Sequence, residues 1–439
     1  MSNLPKPASI SLPAAISIGV GGMIGAGIFS ILGVVAMAAG SAMWISFLIG
    51  GVIALFCTYS YAKLGAKFPS IGGAVQFLVE GFGIGSISGS INVFMWIGYI
   101  ISIALYAQGF AAYCLTFFTD VPTPLMKKGI ATAIVIAFTF LNMLGAGSVG
   151  KAELFIVIVK VSILILFAAV GLFFIHPENL SISHWSNLDH ILFGAGVLFI
   201  GYEGFGLIAN AAGDMNNPSK SLPKALYWSV FIVIAIYIAV SVTVVGNLSS
   251  QAIYSSGDYA LAEAAKPFLG MLGFKLIAIA ALFSTASAIN ATLFGAANIS
   301  YMVARDGELP LYFARTEWRN ATGGLIITTL LTIIFILFFD LSGVAMMGSG
   351  AFLLIYAAVN AGHLRILGQT GANKSIVVTS LILCLSLFVV LEIYTYQHSA
   401  TAVYTMIGLL IGSFLLEKLF RFSRKVSPSI NNFAVNRDS

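Results

Sequence analysis

Two charged side chains stand in stretches that otherwise carry almost none. Lys160 interrupts the run IVIVKVSIL, and Glu203 lies in FIGYEGF. A charge at the centre of a bilayer costs at least ~2.5–3.5 kcal/mol, so in membrane-crossing stretches each of them needs a reason. Burial disfavours the charged form of a lysine, which suits Lys160 to take up and release a proton. A lysine held charged in a salt bridge, with Glu203 as its partner, is the other role open to it. Glu203 in turn fits proton sensing, or a carboxylate that accepts hydrogen bonds from freed backbone N–H groups without titrating.

Two glycine clusters lie in runs of the same kind: Gly21-Gly22-Met23-Ile24-Gly25-Ala26-Gly27, and Gly201-Tyr202-Glu203-Gly204-Phe205-Gly206. An unwound turn in mid-membrane frees N–H and C=O groups that lipid cannot satisfy, so it is tolerated only beside a polar cavity or a ligand. A half-helix starting after Gly27 offers N–H donors and a positive dipole end to a carboxylate. Carbonyls exposed around Ile200 and Gly201 can accept from an ammonium. A zwitterion carrying both groups, an α-amino acid, is the natural guest. Taken alone, Gly21-xxx-Gly25 also reads as a helix-packing motif. A dinucleotide fingerprint is a weaker reading still, because Gly19 and Gly21 lack the third glycine and no βαβ unit follows.

The elements that must hold these groups follow from composition. Of 439 residues 59% are hydrophobic and 8% charged, against about 25% charged in soluble domains. That excludes a water-soluble enzyme, a disordered chain and a nucleic-acid binder. The net charge of +5 is not gathered on one soluble face, so it points to no acidic partner. Cys57, Cys114 and Cys384 are widely spaced within apolar runs, which argues against a disulfide framework or a zinc site. The histidines lie near span ends or in loops without metal-site spacing, so neither a metal nor an organic cofactor is expected. Met1 to Ser11 shows no signal-peptide pattern.

At ~20 apolar residues per crossing the chain predicts an all-α integral membrane protein of twelve helices, at 11–39, 42–68, 84–118, 126–145, 149–175, 189–212, 222–246, 269–304, 321–339, 343–366, 374–394 and 400–422. With the N-terminus in the cytoplasm, 16 of the 21 lysines and arginines fall on the inner side. Lys127, Lys128, Lys266 and Lys275 fall outside, and Lys160 lies within a span. By the positive-inside rule both termini are cytoplasmic. Among the acids, Glu80, Glu153, Asp340, Glu392 and Glu417 are placed near span ends, within reach of headgroups.

The third and eighth spans are the long ones, at roughly 35 residues, and so tilt or extend past the hydrocarbon. Each follows a connector that is neither apolar nor plainly a loop, at 69–83 and 247–268. The first and sixth spans are the two interrupted by glycine. Spans 1–5 therefore match spans 6–10, and a unit with an odd number of crossings must re-enter from the opposite side. An inverted repeat with two interrupted helices is the mark of a secondary transporter's binding site. The organisation read from this is a first repeat at 1–175, a second at 176–366, and helices 11 and 12 with a tail at 367–439.

GGMIGAGIF (21–29), FIGYEGF (199–205) and NNPSKSLPKA (216–225) resemble signatures of the amino acid–polyamine–organocation (APC) superfamily, most closely its ApcT-type, proton-coupled branch. GKAELFIVIVK (150–160), AAKPFLG (264–270) and ARDGELP (304–310) extend the likeness over essentially the whole chain. The resemblance implies a LeuT-type fold, alternating access around a midplane site, and uptake of amino acids driven by protons. It places the substrate carboxylate on the backbone of Gly25, Ala26 and Gly27, and the ammonium on the carbonyls of Met23, Phe199 and Ile200. It also places the Lys160 ammonium where sodium-coupled relatives of the fold hold a sodium ion, with the Gly21 carbonyl and a hydroxyl of Ser284 or Ser287 as partners. Glu203 departs from the ApcT-type pattern, which has an apolar residue there. Other APC branches, antiporters among them, carry an acid at this position, so symport and exchange both stay open.

Tyr202, Trp96, Tyr99 and Phe205 are candidates to wall the pocket, each with core packing as its alternative. The expectation is a secondary transporter in the cell membrane that takes neutral or varied amino acids and uses protons as coupling ion. The same-superfamily alternative is an amino-acid exchanger. A channel would need rings of selective groups along a pore, and a membrane enzyme a nucleophile–base pair in the spans; the sequence offers neither. No pattern in the sequence encodes an oligomeric state.

Overall fold

Hydrocarbon offers no partner to a backbone N–H or C=O, so an apolar chain must pair these groups inside helices. The computed structural model describes residues 10–25, 27–70, 72–119, 121–144, 149–215, 217–305, 307–318 and 321–426. Among them, eleven spans are long and apolar enough to cross a membrane. Spans 1 to 8 are Leu12–Ala39, Met43–Lys67, Ser86–Leu115, Pro124–Leu144, Leu154–Phe174, Leu188–Asp214, Pro218–Asn247 and Lys266–Arg305. Spans 10 to 12 are Leu341–Arg365, Lys374–His398 and Ala400–Arg421. The helix expected as span 9 is present but short, Gly323–Phe338, at 16 residues. Its start is fixed by Thr322, whose hydroxyl accepts from the Leu325 N–H at 3.3 Å, and its end by Phe339 in extended geometry.

The described residues are helical apart from short irregular links, two isolated bridges and one small hairpin. In the hairpin, Thr316–Trp318 pairs antiparallel with Ala321–Thr322 ahead of span 9. Span 8 covers 40 residues and span 3 covers 30, but span 7 also covers 30, so length does not set spans 3 and 8 apart as the sequence suggested. Gly270, at φ +60°, kinks span 8 just after its first turn, a backbone geometry that favours glycine. The connector at 69–83 carries the helix Ala74–Phe82, and the connector at 247–268 carries Ser250–Ser256 and Ala260–Glu263.

Burial separates centre from periphery. The most apolar windows of spans 1, 3, 6 and 10 are 88%, 94%, 89% and 83% buried, against 17% for span 4 and 28% for each of spans 11 and 12. The peripheral spans turn large apolar side chains such as Phe140, Ile382 and Leu419 outward, as lipid-facing helices do. Span 10 packs against spans 1, 3 and 6, and spans 1 and 6 contain the two glycine clusters.

Glu417 does not reach the surface as the sequence reading placed it. It is fully buried beside Gly89 of span 3, and its carboxylate pairs with Arg421 one turn on. Glu308, in the link after span 8, is buried at the same place, and Asn92 donates to its carboxylate at 3.5 Å. A loop-borne acid and one near a span end can thus be covered by neighbouring helices, which position along the chain does not reveal. The Glu153 side chain lies outside the described residues.

Candidate functional site

Span 1 is assembled from two helices, Leu12–Met23 and Gly27–Ala39. The last carbonyls of a helix have no acceptor role within its own ladder and take partners from elsewhere. Here those partners come from three other spans. Lys160 of span 5, 1% exposed, donates from Nζ to the Gly21 carbonyl at 2.8 Å. Ser284 of span 8 donates to the carbonyls of Ile24 and Gly25, at 2.5 and 3.2 Å. Tyr237 of span 7 donates to the Met23 carbonyl at 2.5 Å. Ser287, one turn beyond Ser284, is buried on the same helix. Ala26 lies outside the described residues.

Span 6 also changes geometry along its length. The helix Leu188–Leu198 gives way to a tighter turn, Phe199–Tyr202, and helix resumes at Phe205–Asn210. Ser349 of span 10 bridges the change, donating to the Val197 carbonyl at 2.5 Å and accepting from the Ile200 N–H at 3.0 Å. The Ile200 carbonyl accepts from the Glu203 N–H at 3.3 Å. The Tyr237 hydroxyl lies 3.1 Å from the Gly201 carbonyl, so one phenol reaches carbonyls of both spans. Tyr356 of span 10 donates to the Glu203 carbonyl at 2.9 Å.

The two irregular segments touch directly. A Cβ added to Gly27 would come 2.6 Å from the Gly201 Cα and also strike the Tyr237 hydroxyl. One added to Gly204 would strike the Gly22 carbonyl carbon and the Met23 nitrogen. A Cβ on Gly25 would meet the Ala288 Cβ of span 8 at 2.9 Å. None of these glycines takes positive φ; close approach between helices, not backbone strain, makes glycine necessary here. These contacts are what the packing reading of the glycines requires.

Glu203 is 2% exposed, and its Oε1 accepts from the Tyr106 hydroxyl of span 3 at 3.0 Å. Its Oε2 has no hydrogen-bond partner among the described residues. The bond comes from a neighbouring phenol, not from the freed N–H groups that a purely bracing carboxylate would use. Lys160 and Glu203 thus bond to different groups, the one to span 1 and the other to span 3.

The aromatic candidates divide. Tyr202 is fully buried, its hydroxyl donating to the Phe47 carbonyl of span 2 at 2.8 Å and its ring against Tyr237. Phe199 and Phe205 both pack on Tyr356. Trp96 is committed elsewhere: its indole N–H donates to Thr328 of span 9 at 2.9 Å and its ring meets Phe313 edge-on. Tyr99 packs on Phe352. Sequence reasoning missed Tyr106, Tyr237, Ser349 and Tyr356, which are polar side chains scattered through largely apolar helices. Only Ser349, flanked by Gly348 and Gly350, carried a local signal.

A sequence model of the family described as "Amino acid permease" matches residues 10–416. An uncharacterized protein of Methanocaldococcus jannaschii, MJ0609, is 41% identical over 98% of this chain and 99% of its own length. The inner membrane transport protein YbaT of Escherichia coli is 31% identical over 97% of this chain and 99% of its own. The branched-chain amino acid permease BcaP of Bacillus subtilis is 24% identical over 70% of this chain and 69% of its own.

Proposed function

Since the chain belongs to the amino acid permease family, and so is a multi-pass membrane transporter and not an enzyme, we propose that it is a proton-coupled amino-acid symporter of the ApcT type. In this reading the fold is LeuT-type. Its inverted repeats are 1–175 and 176–366, helices 1 and 6 are broken, and 367–439 adds spans 11 and 12. Both termini face the cytoplasm of a cell membrane. The substrate is a neutral amino acid, held between Met23, Gly25, Ala26 and Gly27 on one side and Phe199, Ile200 and Tyr202 on the other.

The observation that carries this reading is the Lys160 ammonium on the Gly21 carbonyl, with the Ser284 hydroxyl on the next freed carbonyls of the same segment. A protonated lysine there makes a charge-assisted bond that ties span 5 to the end of the first helix. Loss of the proton weakens that tie and frees span 1 to rearrange. The same group thus carries the coupling ion and holds the moving part, so substrate movement follows proton movement. No resident cofactor takes part.

Glu203 favours a second reading, amino-acid exchange. A carboxylate with one oxygen unpartnered among the described residues, beside the proposed ligand, can report substrate occupancy to span 3 through Tyr106. Purified protein in liposomes separates the two. Symport gives accumulation of a neutral amino acid under an imposed proton gradient. Obligate exchange gives uptake only when the liposomes already contain amino acid.

A further inference from the structure

Cys57 of span 2 and Cys384 of span 11 were too far apart in sequence to suggest a pair, yet their sulfurs lie 3.3 Å apart and both residues are fully buried. Both are free thiols. Ser380, one turn before Cys384, donates to the Cys57 sulfur at 3.6 Å. We propose that Cys57 and Cys384 are a dithiol modification site, at which a bilayer-soluble hydroperoxide closes an intramolecular disulfide that joins span 2 to span 11 and halts transport.

The approach is short. A disulfide needs ~2.05 Å between sulfurs, so the pair must close by little more than an ångström. Access runs through lipid. The residues flanking Cys384 on span 11, Ile382 and Leu385, are 57% and 42% exposed on the outer face of the bundle, so the thiols lie one layer below hydrocarbon. A lipophilic oxidant concentrates there, whereas a polar one is excluded.

The chemistry balances in two steps. The Cys57 sulfur attacks the terminal oxygen of the hydroperoxide, the O–O bond breaks, and the departing alkoxide takes the thiol proton and leaves as an alcohol. Cys57 is then a sulfenic acid. The Cys384 sulfur attacks the Cys57 sulfur, the S–S bond forms, and the hydroxyl leaves with the Cys384 proton as water. Two thiols are oxidised and one peroxide is reduced. A dithiol reductant reverses the product by exchange.

The consequence for transport rests on the reading of spans 1 and 6 as the moving parts. Span 2 is bound to span 6 by the Tyr202 hydroxyl on the Phe47 carbonyl, and by the Tyr61 ring against Phe205, one turn from Cys57. Span 2 therefore accompanies span 6. A covalent bond to span 11 anchors both to the periphery.

The test uses the full protein in liposomes treated with cumene hydroperoxide, read by peptide mass spectrometry and by amino-acid uptake. The expected result is a Cys57–Cys384 cross-linked peptide, uptake reduced to that of protein-free liposomes, and recovery with dithiothreitol. Cys57→Ser and Cys384→Ser take up substrate at the native rate and keep it under peroxide, while Cys114→Ser stays sensitive. The proposal fails if the cross-linked peptide does not form, if it forms with uptake intact, or if Cys384→Ser is inhibited as strongly as the native protein. The mass readout does not depend on the substrate, so absence of amino-acid uptake by the reduced protein would overturn the transport reading and leave the disulfide decided separately.

Discussion

Replacing Lys160 by methionine retains a long unbranched side chain and deletes the ammonium. The bond to the Gly21 carbonyl, 2.8 Å and charge-assisted, contributes roughly 1.5–3 kcal/mol. Against that stands the desolvation of a 1% exposed cation, which is several kcal/mol per ion and disappears with the charge. The two are opposed and of similar size, so Lys160→Met stays folded with a thermal midpoint close to the native one. Transport responds quite differently. Each pH unit across the membrane supplies about 1.4 kcal/mol per proton, enough for about tenfold accumulation. In liposomes with one unit imposed, native protein approaches that ratio if one proton accompanies each substrate. Lys160→Met only equilibrates the amino acid. Lys160→Arg also only equilibrates it, because guanidinium keeps its proton at any ordinary pH. Accumulation by the arginine variant near the native ratio would refute the reasoning: Lys160 would then be a fixed structural cation, with the proton travelling elsewhere.

Tyr237→Phe removes the donor shared by the Met23 and Gly201 carbonyls. One phenol proton serves one acceptor at a time, so the loss is that of a single buried bond, about 1–3 kcal/mol, measured as a lower thermal midpoint and weaker substrate binding by calorimetry. Gly27→Ala forces a methyl against the Gly201 Cα; overpacking of this kind costs about 1–3 kcal/mol, and substrate binding falls even where the variant purifies as a single species. Native binding in that variant would show that the segments part freely. Glu203→Gln keeps substrate binding and flattens the pH dependence of uptake, whereas an unchanged profile removes Glu203 from the proton route. The ion pair of Lys127 with Asp258, which ties span 4 to the link ahead of span 8, is partly exposed. A double-mutant cycle with Lys127→Gln and Asp258→Asn should return no more than about 1 kcal/mol of coupling.

The spans were readable because lipid demands a long unbroken apolar run, and Lys160 and Glu203 stood out because nothing around them is charged. The glycine clusters told where helical geometry ends, but not what occupies the carbonyls set free. Tyr237 occurs in IVIAIYIAV, where a phenol looks like any aromatic facing core or lipid, and its role exists only once span 7 lies beside spans 1 and 6. Trp96 shows the converse. Its place in span 3 suggested a pocket wall, yet its N–H goes to Thr328 of span 9. Glu417 was misplaced for a related reason: distance to a span end says nothing of which helix covers it.

Span 9 has a consequence for the surroundings of the protein. At ~1.5 Å per residue the helix Gly323–Phe338 is about 24 Å long, against ~30 Å of hydrocarbon in an ordinary bilayer. It cannot gain a turn, because Thr322 caps one end while Asp340, accepting from the Gly343 N–H at 3.0 Å, already starts span 10 at the other. Acyl chains beside it must shorten by roughly 6 Å, at a cost of fractions of a kcal/mol per ångström. Span 9 packs against spans 3, 4 and 8, and span 8 holds Ser284 on the freed carbonyls of span 1. Membrane thickness therefore presses on a helix that adjoins the site, and lipids with shorter chains should relieve that pressure.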